Sequence, residues 1–129
     1  MIVVDASAAV HLALRRGLPR LEPHDAVAPA LLWSEATSAL RQLAWRGAID
    51  PSAADEAVAA LAEAPIRAEA APGLCLDSYR LAERLGWART YDAEYLALAE
   101  RLGCPLLALD ARLARTARRL VGLVPPEDI

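Results

Sequence analysis

The sequence has no lysine: all 14 of its basic side chains are arginine. Together with the richness in alanine, this reads as a coding bias more than a functional signal. It still excludes a phosphoacceptor receiver domain, which uses a lysine near its phosphorylated aspartate. The only cysteines, Cys75 and Cys104, are far apart and form no CxxC pair, so reduced thiols of a cytoplasmic protein are expected. No apolar run approaches the roughly 18 residues of a membrane span, so no membrane association is expected. Met1 to Val4 is apolar, but Asp5 follows at once and no basic segment precedes a long apolar core, so no signal peptide is expected. There is no GxxxxGK[ST] or GxGxxG phosphate loop. The first strand ends in Asp5-Ala-Ser7 where a haloacid-dehalogenase-like phosphatase needs Asp-x-Asp.

What is present suits one compact unit over residues 1–129, 56% hydrophobic and 24% charged, with neither repeats nor a low-complexity linker. Ile2-Val3-Val4 is a β-branched run that reads as a buried strand, followed by a helix to about Arg16. Gly17, Pro19 and Pro23 mark a loop, and Ala26 to Ala28 a second short strand. Pro29 suits the first turn of a helix running to about Arg46, with Leu32, Ala36, Ala39, Leu40 and Leu43 as its inner stripe. Asp50 and Pro51 read as cap and first-turn proline of a third helix that Pro65 closes. A weak strand at 66–70 comes next. Helices follow over Leu74–Leu85 and Asp92–Leu102, each stopped by a glycine. Then come a strand at Pro105–Leu109, an arginine-rich helix after Asp110, and a last strand at Leu120–Val124. Short apolar strands alternating with helices predict an α/β sandwich on a parallel sheet, because parallel neighbours need crossover connections. Ligands of such sheets bind beyond the carboxyl ends of the strands.

Four acids fall where that edge should be. Asp5 and Asp110 each follow a strand, where an ordinary helix cap is the competing explanation. Ser7 is placed to cap the helix or to orient Asp5. Glu35 lies within or beside the apolar stripe of its helix, which is costly for a carboxylate unless it is paired, binds metal, or reaches solvent at the stripe's edge. Asp92 shares a helix face with Tyr95, Leu96, Ala99 and Leu102, or serves only as a first-turn acid favoured by the helix dipole. Glu94 is expected to point the other way, toward water or a neighbouring helix. His11 and His24 read as structural or solvated. Hard oxygen ligands gathered in this way suit Mg²⁺ or Mn²⁺ and phosphodiester hydrolysis, which in two-metal sites uses ions about 3.5–4 Å apart. The net charge of −3 argues against a nucleic-acid partner only until bound cations reverse the local field. Arg112, Arg115 and Arg119 share a helix face after Asp110, either an ordinary solvated face or one that touches an RNA backbone.

Four blocks, in order along the whole chain, resemble the PIN-domain family. They are Met1-Ile-Val-Val-Asp5-Ala-Ser7, Pro29-Ala-Leu-Leu-Trp-Ser-Glu35, Tyr91-Asp92-Ala-Glu-Tyr95-Leu-Ala-Leu-Ala-Glu100 and Pro105-Leu-Leu-Ala-Leu-Asp110-Ala-Arg-Leu113. The VapC-like toxins of bacterial toxin–antitoxin pairs are the most similar members. The resemblance implies a PIN-like three-layer sandwich and a metal-dependent endoribonuclease. In it, Asp5, Glu35, Asp92 and Asp110 would be both the catalytic and the metal-binding residues, with Mg²⁺, or Mn²⁺, as cofactor. It also implies an RNA substrate, a homodimer and a cognate antitoxin protein. Ala108 departs from the pattern, since many relatives carry Thr or Ser there. The alternative is a catalytically silent PIN-like domain that binds a protein partner or RNA, against which the complete acidic quartet speaks.

Overall fold

A computed structural model describes all residues from Met1 to Ile129. The first strand, β1 (Ile2–Val4), lies at the centre of a five-stranded sheet; the others are β2 (Ala26–Ala28), β3 (Ile66–Ala68), β4 (Leu106–Leu107) and β5 (Leu123–Val124). Their order is β3-β2-β1-β4-β5 and every pairing is parallel. Val3 is matched with Val27 on one side and Leu106 on the other. The three central strands are buried along their whole length, as expected for a sheet covered on both faces. The edge strands β3 and β5 are more open.

The helices are α1 (Ala6–Leu14), α2 (Leu31–Trp45), α3 (Pro51–Ala62), α4 (Leu74–Leu85), α5 (Tyr91–Leu102) and α6 (Ala111–Leu120). Helices α1, α2 and α3 pack on one another; α4 and α6 pack on α5, which itself lies on β1 and β4. A continuous core of 33 buried residues joins the sheet to both groups. Gly86 and Gly103 end α4 and α5 at φ of 72° and 63°, a left-handed conformation that costs glycine little.

The expected elements are all present, with local differences. Residues Leu18–His24 form a 3₁₀ helix where only a loop was expected. Helix α2 starts at Leu31 with Ala30 as its cap residue, so Pro29 lies just outside it rather than in its first turn. Pro51 does open α3, but the Asp50 side chain makes no capping hydrogen bond. Strand β5 begins at Leu123, because Leu120 completes the last turn of α6. Strands β3 and β4 are shorter than the apolar runs that contain them.

Going out from β1, the chain adds β2 and β3 on one side and later β4 and β5 on the other. The strand order therefore reverses between β1 and β4, and a crevice opens beyond the carboxyl ends of that pair. Asp5 follows β1 directly, and Asp110 lies three residues past the end of β4.

Candidate active site

Asp5, Glu35, Asp92 and Asp110 all line a single cavity of about 390 Å³, together with Ser7 and Tyr95. The sequence expectation that they meet at one edge is thus met in space. For Asp5 and Asp110, the cap and the site prove compatible. Asp5 Oδ1 accepts the Ala8 N–H at 2.8 Å and caps α1. Asp110 Oδ1 accepts the Leu113 N–H at 2.9 Å and caps α6.

Ser7 ties these two strand ends together. Its hydroxyl donates to the Asp5 carboxylate, lying 2.8 Å from either oxygen. The same oxygen accepts the backbone N–H groups of Leu109 at 3.1 Å and Asp110 at 3.2 Å. Backbone pairing adds a further link, from Asp5 N to Leu107 O at 3.0 Å. Asp5 is buried, at 3% exposure. Burial raises its carboxyl to about 7; the Ala8 and Ser7 hydrogen bonds oppose the rise, and the Asp92 and Asp110 charges add to it.

Glu35 is half-buried on α2. Its Oε1 accepts the Tyr95 hydroxyl of α5 at 2.6 Å. Burial, then the Glu35 hydrogen bond and charge, push the Tyr95 phenol far above its ordinary value, so it remains a neutral donor at any physiological pH. Asp92, also half-buried, has its carboxyl raised first by burial and then by Asp110, with Arg112 pulling it back.

Of the two surroundings expected for Glu94, water or a neighbouring helix, the second is found. Glu94 is half-buried, and its carboxyl is raised first by burial and then by the charge of Glu35. Residues Tyr95 to Ala99 are buried without a break, so α5 has little open side for a residue to escape to. A turn of about 200° away from Asp92 therefore carries Glu94 toward Glu35 rather than into water. Tyr95 was legible only as a core residue; a phenol on a buried face needs a partner for its hydroxyl, and that was the available signal. Trp87, Arg89 and Tyr91 line an adjoining cavity and had no periodic signal, since Trp87 and Arg89 fall between α4 and α5 and Tyr91 is the first residue of α5.

The donor set suits a hard divalent cation in kind: carboxylate oxygens, none of them in an ion pair. The side chains as placed do not bring three such groups within joint reach of one ion. Asp5 is fixed by its hydrogen bonds, so closing the set falls to the helix-borne acids.

The PIN domain family model matches residues 2–119. Ribonuclease VapC9 of Mycobacterium tuberculosis is 34% identical over 120 residues, covering 92% of each chain. Ribonuclease VapC3 of the same organism is 35% identical over 123 residues, covering 88% of this chain and 85% of that protein. Among solved structures, PAE2754 from Pyrobaculum aerophilum superposes with a TM-score of 0.77 at 27% identity, covering 98% of this chain and 89% of the other. The match over nearly the whole chain, on a sheet whose switch point gathers four acids, places this protein in the PIN-domain family, among its VapC-like members.

Proposed function

We propose that residues 1–129 form one PIN-like nuclease domain, a metal-dependent endoribonuclease that acts as the toxin of a type II toxin–antitoxin pair. The observation that carries this reading is the gathering of Asp5, Glu35, Asp92 and Asp110 around one cavity at the sheet's switch point. Relatives named as VapC ribonucleases support it. The four carboxylates would hold Mg²⁺ or Mn²⁺, which when bound supplies Lewis-acid stabilisation of charge on the phosphate oxygens. Ser7 holds the Asp5 carboxylate toward the cavity, and Tyr95 does the same for Glu35. Water adds to phosphorus, the bond from phosphorus to the 3′ oxygen breaks, and the products carry a 5′-phosphate and a 3′-hydroxyl. Arg112, Arg115 and Arg119 are exposed on α6, and in this reading they meet the RNA backbone.

The same reading assigns a cognate antitoxin that covers the acidic cavity, a cytoplasmic location and a homodimer. Trp45 on α2 is 78% exposed, and Leu76 and Tyr79 on α4 are 57% and 56% exposed, which supplies apolar surface for assembly. The test is cleavage of RNA by the pure protein in Mg²⁺ or Mn²⁺ against chelator, beside an Asp5→Ala control. Cleavage that needs the metal, needs Asp5 and leaves 5′-phosphate ends is expected. Cleavage that survives chelation overturns the metal-dependent mechanism.

A further inference from the structure

Next to the acidic cavity is a second one of about 350 Å³, lined by Glu35, Trp87, Arg89, Tyr91, Asp92 and Arg112, with Ala88. Glu35 and Asp92 line both cavities, so the two adjoin. The contents change across that boundary. The first cavity presents four carboxylates; the second adds two aromatic rings and two guanidinium groups. Trp87 is packed against the core, which fixes its plane. The Arg112 guanidinium lies over that ring, 4.9 Å from its centre. Tyr91, the first residue of α5, is 52% exposed. Neither Arg89 nor Arg112 is in an ion pair, whereas Arg16, Arg67, Arg80 and Arg101 are.

We propose that this cavity is a nucleotide subsite. It takes one unpaired nucleotide of RNA, adjacent to the phosphate that lies over the acids. The base stacks on Tyr91, and Arg89 and Arg112, the latter held over the Trp87 ring, meet the flanking phosphates. The inference rests on the nuclease reading of the acids and adds to it the residues that hold a base beside the cleaved phosphate. Aromatic rings and guanidinium planes are the surfaces on which splayed bases stack. Only an unpaired base has a face free to do so, so the subsite selects single strands or loops over duplex. The cavity's volume lies at the small end of ligand sites, which suits one nucleotide and not a folded segment.

The test uses a short fluorescein-labelled single-stranded RNA of mixed sequence and the same sequence as a duplex. Binding is read by anisotropy in an Asp5→Asn background with Mg²⁺, and cleavage kinetics are read in the otherwise wild-type chain. Tyr91→Ala should weaken single-strand binding roughly 5- to 150-fold, the value of one lost stacking contact. Tyr91→Phe should restore it, and Arg89→Ala should lower the salt dependence of binding. In cleavage, Tyr91→Ala should raise KM more than it lowers kcat. Unchanged binding in both Tyr91→Ala and Arg89→Ala, in a protein that does cleave RNA, overturns the subsite and leaves the nuclease reading intact. Loss of binding in Tyr91→Ala when no metal supports cleavage sustains the subsite and removes the nuclease reading. A chain that neither binds nor cleaves RNA overturns both. Variants that keep RNA affinity but lose a co-expressed partner protein show a protein-docking cavity instead, which overturns the proposal.

Discussion

The two sides of the acidic cavity are built on different principles. On the strand side, Asp5 and Asp110 are held by the backbone: each caps a helix, and the Ser7 hydroxyl joins them. On the helix side, Glu35, Asp92 and Glu94 project from α2 and α5, and the only hydrogen bond they accept from the protein is that from Tyr95 to Glu35. The strand side is therefore preorganised, and the price is a buried carboxylate raised to about 7. The helix side is less fixed, since Asp92 accepts no hydrogen bond from the protein and Glu35 only one, and it is the side that would close for one cation to be held jointly. A rigid pair facing an adjustable pair lets a site bind metal tightly without being forced to carry four clustered charges when empty.

The comparison breaks most visibly at Asp92. Asp92→Asn keeps the shape and removes the charge from the helix side. Cleavage should fall by more than the roughly 10–100-fold typical of changes one layer away from a metal, and Mn²⁺ affinity should fall with it. An Asp92→Asn protein that cleaves at nearly the wild-type rate would mean that the strand side works alone.

The next effect is on stability. In the folded chain Asp5 titrates at about 7, against an ordinary value of 3.8. Between those values the folded state keeps a proton that the unfolded state gives up, so stability falls as pH rises. The contribution is fully present below 3.8 and is lost once the pH passes 7. The slope from this group is at most about 1.4 kcal/mol per pH unit. Thermal melts of metal-free protein across that window should show the decline, and Asp5→Asn should flatten it. At neutral pH, metal at 100 times its dissociation constant should return about 2.7 kcal/mol, on the order of 10 °C in Tm. A Tm indifferent to Mg²⁺ and Mn²⁺ would count against metal binding by the preorganised side.

A pair of conservative variants then sharpens the contrast. Ser7→Ala deprives a buried carboxylate of a donor and leaves two backbone N–H groups without their acceptor. It should cost about 1–3 kcal/mol in chemical denaturation. Tyr95→Phe takes a donor from Glu35, which is only half-buried and can turn to water; the loss should be nearer 1 kcal/mol. If Tyr95→Phe proves the more damaging, the helix side is the rigid one and the assignment of roles is reversed.

Most of this architecture was legible because its signals are local. Ile2-Val3-Val4 followed by Asp5 marks a buried strand and its carboxyl end, and the Gly86 and Gly103 stops delimit α4 and α5. The acids at strand ends were readable for the same reason: in a parallel sheet, the end of a strand is already an address in three dimensions. What was not legible depends on neighbours remote in sequence. Helix phase turned Glu94 away from Asp92 but left open whether it met water or a neighbouring helix, and the packing around α5 decides that. The hydroxyl of Ser7 was expected to cap its helix or to orient Asp5, and it does the latter; its bonds to the backbone of Leu109 and Asp110, more than 100 residues away, required the β1–β4 pairing to be known. Trp87 and Arg89 lie between α4 and α5 and Tyr91 at the very start of α5, where periodicity says nothing about which side chains meet.

Glu94 gives the smallest expected effect and the finest test of the helix side. Its charge reaches Glu35, but it is not among the residues lining the acidic cavity, whereas Asp92 lines it directly. Glu94→Gln removes one like charge from the neighbourhood of Glu35 and touches nothing on the strand side. Glu94 is only half-buried, so solvent screening limits the gain in metal-free stability to below about 1 kcal/mol. Cleavage at saturating metal should stay close to that of the wild type. At limiting metal, losing a nearby negative charge should weaken Mn²⁺ binding slightly, because the field that attracts the cation is reduced. Measuring Mn²⁺ affinity and cleavage rate for Glu94→Gln beside Asp92→Asn separates a charge that only surrounds the site from one that belongs to it. If Glu94→Gln is the inactive protein and Asp92→Asn the active one, then the helix presents Glu94 to the metal, and the adjustable side of the cavity turns further than its resting geometry indicates.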